Sequence, residues 1–79
     1  SNTDNNIHNI KIYPNPVNNK LYINGNSSNY SIEVISLLCQ NLIRVYNTNV
    51  VDLSLLNEGV YLIKIEVSGT TSTFKIIKQ

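Results

Sequence analysis

Residues able to do acid–base, nucleophilic or metal chemistry are few in this 79-residue chain, and they are scattered. His8, the only histidine, lies in the polar run SNTDNNIHN, where nothing positions a general base. The acids Asp4, Glu33, Asp52, Glu58 and Glu66 show no paired spacing of the kind that acid–base catalysis uses. Cys39 has no adjacent base to activate its thiol and no second thiol for a zinc site, so it reads as a half-buried turn residue. Only Gly25, Gly59 and Gly69 are available, too few and too dispersed for a phosphate-cradling loop. The glycosylation-type triplets Asn26-Ser27-Ser28 and Asn29-Tyr30-Ser31 arise readily in an Asn-rich chain and decide nothing. The pattern points away from an enzyme, and no cofactor or metal is expected.

Charge excludes a further class. The formal net charge is +1, and Lys11, Lys20, Arg44, Lys64, Lys75 and Lys78 are spread along the chain, whereas nucleic-acid binding needs a concentrated basic face. Lys75 and Lys78 come closest to a cluster and read first as solvated residues of a last strand. No apolar run approaches the roughly 20 residues of a membrane-spanning helix. No signal peptide opens the chain; a piece of a longer precursor would lack one too, so the absence does not point to a cytoplasmic home. The length allows one domain, and a domain of this size buries only about 60–65% of its unfolded surface. With one cysteine there is no disulfide framework to compensate, so modest stability is expected.

The elements follow from spacing. Residues 1–9 have almost nothing to bury and read as a polar linker or frayed N-terminus, leaving 10–79 as the domain. Beyond them, short apolar segments recur with turn signals every 8–12 residues or so, the cue for a sandwich or barrel. Strands are predicted at 10–13, 20–24, 30–36, 41–46, 50–54, 59–67 and 71–78. In 59–67, Tyr61, Ile63, Ile65 and Val67 share one face, with Lys64 and Glu66 on the other. The same alternation turns Tyr30, Ile32 and Val34 inward, with Leu21, Ile23, Phe74 and Ile76. In 41–46 either Leu42, Arg44 and Tyr46 or Ile43 and Val45 face the core; the second choice leaves Arg44 in water. The predicted core comprises Ile32, Val34, Leu53, Tyr61, Ile63, Ile65, Phe74 and Ile76. Tyr22 and Tyr46 are the tyrosines expected to face outward.

Between strands, residues 24–29, 57–59 and 68–70 carry Asn, Ser and Gly suited to turns, the last as a hairpin joining the final two strands. Pro14 and Pro16 lack a backbone donor, which confines them to an edge strand or a strand end. Residues 36–40 are the least regular. A helix from 35 to 43 is conceivable, but β-branched flanks and short length favour a hairpin connection.

Three segments stand out in order: Ile12-Tyr13-Pro14-Asn15-Pro16-Val17 with Leu21-Tyr22-Ile23; Tyr30-Ser31-Ile32-Glu33-Val34-Ile35-Ser36-Leu37-Leu38-Cys39-Gln40; and the stretch from Val51-Asp52-Leu53 through Gly59-Val60-Tyr61, closing on Phe74-Lys75-Ile76-Ile77-Lys78. In this order they resemble the type A C-terminal sorting domain of the type IX (Por) secretion system of Bacteroidetes. Together they span residues 12–78. The family usually has glycine where Cys39 stands. Glycine permits positive φ there, which costs a Cβ-bearing residue roughly 1–2 kcal/mol, so a turn of different conformation is expected here.

The resemblance implies a non-catalytic signal that directs a larger cargo across the outer membrane and is cleaved on its N-terminal side. It implies an outer-membrane translocon, a sortase-like protease and an upstream cargo domain as partners, with passage through the periplasm to the cell surface or medium. Pro14, Asn15, Pro16, Gly59, Tyr61, Lys75 and Lys78 are the residues expected to be recognised. The fold expected is an all-β, immunoglobulin-like β-sandwich of about seven antiparallel strands, with an exposed C-terminal edge open to strand addition. The alternative is an immunoglobulin-like binding module for surface polysaccharide or protein; a spacer between domains is a third class.

Overall fold

Strands form where apolar and polar residues alternate: β1 (Lys11–Tyr13), β2 (Lys20–Asn24), β3 (Tyr30–Ser36), β4 (Asn41–Thr48), β5 (Val50–Asp52), β6 (Gly59–Val67) and β7 (Thr70–Lys78). This computed structural model describes residues 10–25 and 29–79, and no helix occurs among them. The expected linker 1–9, with His8, and the triplet Asn26-Ser27-Ser28 lie outside the described residues. The strands make two sheets, a three-stranded one in the order β1-β2-β5 and a four-stranded one in the order β4-β3-β6-β7. All strand pairs are antiparallel. The result is an all-β, immunoglobulin-like sandwich.

Its core is the set that alternation turns inward. Leu21, Tyr30, Ile32, Val34, Leu53, Ile63, Ile65 and Ile76 are buried, and Tyr61 and Phe74 pack half-buried against them. Burying each large aliphatic side chain contributes about 1.5–3 kcal/mol, against the chain entropy lost on folding. Ile43 and Val45 face this core and leave Arg44 in water, where its guanidinium donates to the Glu33 carboxylate at 2.7 Å. Val17 is also fully buried. It stands beyond Pro16, outside every predicted strand.

Local chemistry sets the strand ends. β5 stops at Asp52, two residues sooner than its apolar pattern suggests. The Asp52 carboxylate accepts the Ser54 N–H at 2.9 Å and bends the chain into a turn. That same hydrogen bond holds the Asp52 carboxyl below its ordinary pKa. β4 runs on to Thr48 because it is bulged: its register against β3 shifts twice, and Asn47 takes φ 55°. The β6–β7 hairpin turns through Ser68 and Gly69, both at positive φ, the pattern whose twist matches paired strands.

Residues 37–40 form the hairpin connection between β3 and β4. Ser36 organises it: its Oγ accepts the Leu38 and Gln40 N–H groups at 3.2 Å each, and its backbone bonds Gln40 and Cys39. Two expectations for Cys39 are corrected here. The residue is exposed rather than half-buried, and it adopts φ 66°, the left-handed conformation, instead of forcing a different turn. The Ser36 hydrogen bonds hold the turn in place although the Cβ carries the penalty. Cys39→Gly is therefore expected to stabilise the domain by about 0.5–1 kcal/mol, the relief of the left-handed penalty less glycine's larger unfolded-state entropy. A melting temperature raised by several degrees would show it; an unchanged or lower value would contradict it.

Candidate recognition site

The structure brings the residues singled out from the sequence to one end of the four-stranded sheet but not to one face: Lys75 is outward, Tyr61 and Lys78 share the core-facing phase, and Asn15 lies along the edge. Gly59 stands opposite Lys78, and Tyr61 opposite Ile76, in an unbroken β6–β7 register. On the other side of β7, residues 14–17 cross over from β1 and lie against its outer edge. β1, an edge strand, ends at Tyr13 just before Pro14, as a residue without a backbone donor requires.

Asn15 makes the crossing specific. Its side-chain amide donates to the Lys75 carbonyl at 3.2 Å, and its Oδ1 accepts the Ile77 N–H at 3.0 Å. A side-chain carboxamide has one face of donor and one of acceptor, so it substitutes here for a backbone peptide. Val17 continues the row: its N–H donates to the Ile77 carbonyl and its carbonyl accepts the Gln79 N–H, both at 2.8 Å, as a parallel bridge to Lys78. The buried Val17 side chain anchors the segment to the core. Residues 14–17 thus form a strap over the C-terminal half of β7. The C-terminal edge expected to be exposed is covered by this strap along the C-terminal half of β7 and open along its N-terminal half.

Gly59 takes φ 152°, and a Cβ added there would meet nothing closer than Tyr61 Cε2 at 4.0 Å. Backbone conformation, rather than crowding, therefore calls for glycine. Tyr61 donates its hydroxyl to the Asn57 carbonyl at 2.7 Å, tying the loop before β6 to the sheet. Its ring fills the core margin, which makes its visible role structural.

The two lysines part company. Lys75 is exposed on the outer face, where its register partner is Leu62 and the neighbouring pair is Val60 and Ile77. Lys78 is only 8% exposed. It shares the inward parity of Phe74 and Ile76, and its Nζ donates to the Gln79 main-chain oxygen at 2.9 Å. Its stem covers the core margin while the amine reaches the rim. The reading of both lysines as solvated holds for Lys75 and fails for Lys78. Alternation places Lys78 inward, in phase with Ile76, and that signal was available in the sequence.

Other features had weaker signals. Val17 could be suspected only as an apolar residue after two prolines. Tyr13 faces outward as well as Tyr22 and Tyr46, because it is the direct cross-strand partner of Tyr22; their rings stack at 5.8 Å. Ile35, opposite Leu62 in the four-stranded sheet, is also buried although it stands outside the main core cluster. Among the described residues, no group of three or more His, Cys, Asp or Glu is placed to hold a metal ion. No helix long and apolar enough to cross a membrane occurs among them.

A family model described as the secretion system C-terminal sorting domain matches residues 11–79, which takes in every strand and the strap. No curated protein matches the chain significantly.

Proposed function

Because the chain belongs to the family of secretion-system C-terminal sorting domains, we propose that it carries a larger upstream cargo across the outer membrane to the cell surface or medium. The match over residues 11–79 carries this reading. The translocon recognises the folded domain, and a sortase-like protease cuts on its N-terminal side, in or just before residues 1–9. No catalysis and no cofactor belong to this role. The recognition residues proposed are Pro14, Asn15, Pro16, Gly59, Tyr61, Lys75 and Lys78, of which Tyr61 and Lys78 face the core and act through the shape of this corner rather than by direct contact. Within it Lys75 is the exposed cation, set beside Val60 and Ile77, which are 39% and 42% exposed.

A periplasm-directed reporter fused to residues 1–79 tests this in a host with the secretion machinery. Export of the reporter, with mass spectrometry placing the cut near residues 1–9, is expected; a folded fusion retained in the periplasm would refute the assignment. The lysines must be tested separately. Lys75→Ala is expected to leave stability within about 0.5 kcal/mol and to weaken export. Lys78→Ala removes a buried aliphatic stem and is expected to cost about 2 kcal/mol, so its export defect would follow from stability. Normal export of Lys75→Ala would move recognition away from this lysine.

One observation favours a second reading, a module for surface polysaccharide or protein. The stacked pair Tyr13 and Tyr22 is 48% and 41% exposed and forms a small aromatic platform. Polysaccharide affinity lost in Tyr22→Ala, with export unaffected, would favour it.

A further inference from the structure

A β-sandwich of two open sheets has four edges, and three of them here are blunted. β1 is three residues long and runs into Pro14. β5 is also three residues long, and the Thr48 hydroxyl bonds both the N–H and the carbonyl of Val50 at 3.2 Å. β4 is longer but carries two register shifts, a positive-φ Asn47 and an outward Arg44. Short strands, bulges, charge and capped backbone groups all discourage another strand from pairing.

β7 is different. It runs nine residues with an unbroken register against β6. Its groups alternate between β6 and the outside, as an antiparallel ladder requires. Outward groups of Lys75, Ile77 and Gln79 meet the strap. By the same alternation, Thr71 and Thr73 present their N–H and carbonyl groups outward, with the N–H of Lys75. No partner meets them among the described residues. No proline, bulge or charge interrupts residues 71–74, and Thr71 and Thr73 are exposed residues of high strand propensity. Phe74 beside them is only half-buried although it faces the core.

We propose that residues 71–75 are a docking edge to which an extended segment of the translocation machinery adds as a fifth strand. This rests on the sorting reading and names the physical contact behind it. The strap shows that this edge accepts a further segment through backbone-type bonds. The incoming strand lies end to end with it, satisfies the outward groups of Thr71, Thr73 and Lys75, and sets an apolar side chain over the exposed part of Phe74. Main-chain pairing supplies affinity with little demand on sequence, which suits a signal borne by diverse cargo. A second copy of this chain fits poorly. Two β7 strands paired antiparallel about Thr73 would set the Ser68–Gly69 hairpin of each where the strap of the other lies.

Two substitutions separate backbone from side chain. Thr73→Pro removes one outward N–H without taking a hydrogen bond from the β6–β7 ladder, a position where proline is tolerated. Thr73→Val keeps the N–H. The reporter fusion is expected to be exported normally with Thr73→Val and about tenfold less with a folded Thr73→Pro. Amide hydrogen exchange is the companion measurement and needs no variant. The Thr71, Thr73 and Lys75 amides should exchange freely in the isolated chain and about tenfold more slowly with the translocon purified in detergent. Equal export of folded Thr73→Pro and wild type overturns the proposal, and so do amides that stay unprotected in the complex. A concentration-dependent dimer dissolved by Thr73→Pro overturns it in favour of self-association. Should Thr73→Pro fail to fold, the exchange measurement decides. Retention of the wild-type fusion is a separate result, and it removes the sorting reading together with this one.

Discussion

Deleting residues 71–79 is expected to abolish cooperative folding and leave the fused reporter in the periplasm. A two-state domain of this size is stable by about 4–12 kcal/mol. Truncating a buried isoleucine costs about 2–5 kcal/mol and a phenylalanine about 3–5. The deletion takes away Ile76, fully buried, and Phe74, half-buried, along with the whole β6–β7 ladder. With the ladder included, that loss is of the same order as the stability available. It also turns β6, a nine-residue strand, into a bare edge, a template for aggregation. Circular dichroism and a denaturant titration would check the outcome. A truncated chain that still melts in one cooperative transition would show that the remaining strands suffice, and its export would then report recognition alone.

Releasing the strap is expected to have the next largest effect. Asn15→Leu keeps the side chain's shape but forfeits its hydrogen bonds to Lys75 and Ile77. At this exposed site water partly replaces them, and the cost is about 1–2 kcal/mol. Val17→Ala removes two methyl groups from a residue with no exposed surface and leaves a cavity, at about 2–3 kcal/mol. The two residues act on one segment, so the double variant need not equal the sum of the singles. A total loss near 3–5 kcal/mol would consume a large share of the domain's stability. Hydrogen exchange supplies the local readout: the Ile77 and Gln79 amides, which bond the strap, should lose protection before the β3–β6 amides do. Uniform loss of protection across the sheet would mean that the strap is not a separable element.

The linear chain determines a good deal by itself. The period of two in Tyr61, Ile63, Ile65 and Val67, and in Tyr30, Ile32 and Val34, decides strand type and core face, because side chains alternate across any pleated strand. The choice of Ile43 and Val45 over Arg44 follows from the cost of burying an unpaired charge. The wide separation of His8, Cys39 and the acids leaves catalysis without a sequence signal, and the three motif segments identify the family. Site residues are legible as types, not as roles. Pro14, Asn15 and Pro16 are conspicuous in the chain, yet nothing local says that Asn15 meets Lys75 and Ile77, 60 and 62 residues away. Backbone donors and acceptors are the same in every strand, so alternation cannot say which strands are neighbours or which edge is covered. Tertiary structure alone decides that β7 lies outermost, that the strap takes half of its edge, and that Tyr13 stacks on Tyr22 at the surface. It also decides the fate of Cys39, where hydrogen bonds to Ser36 outweigh the conformational preference of a Cβ-bearing residue. Pairing is a long-range choice among chemically equivalent edges, and only packing the two sheets against one core makes it.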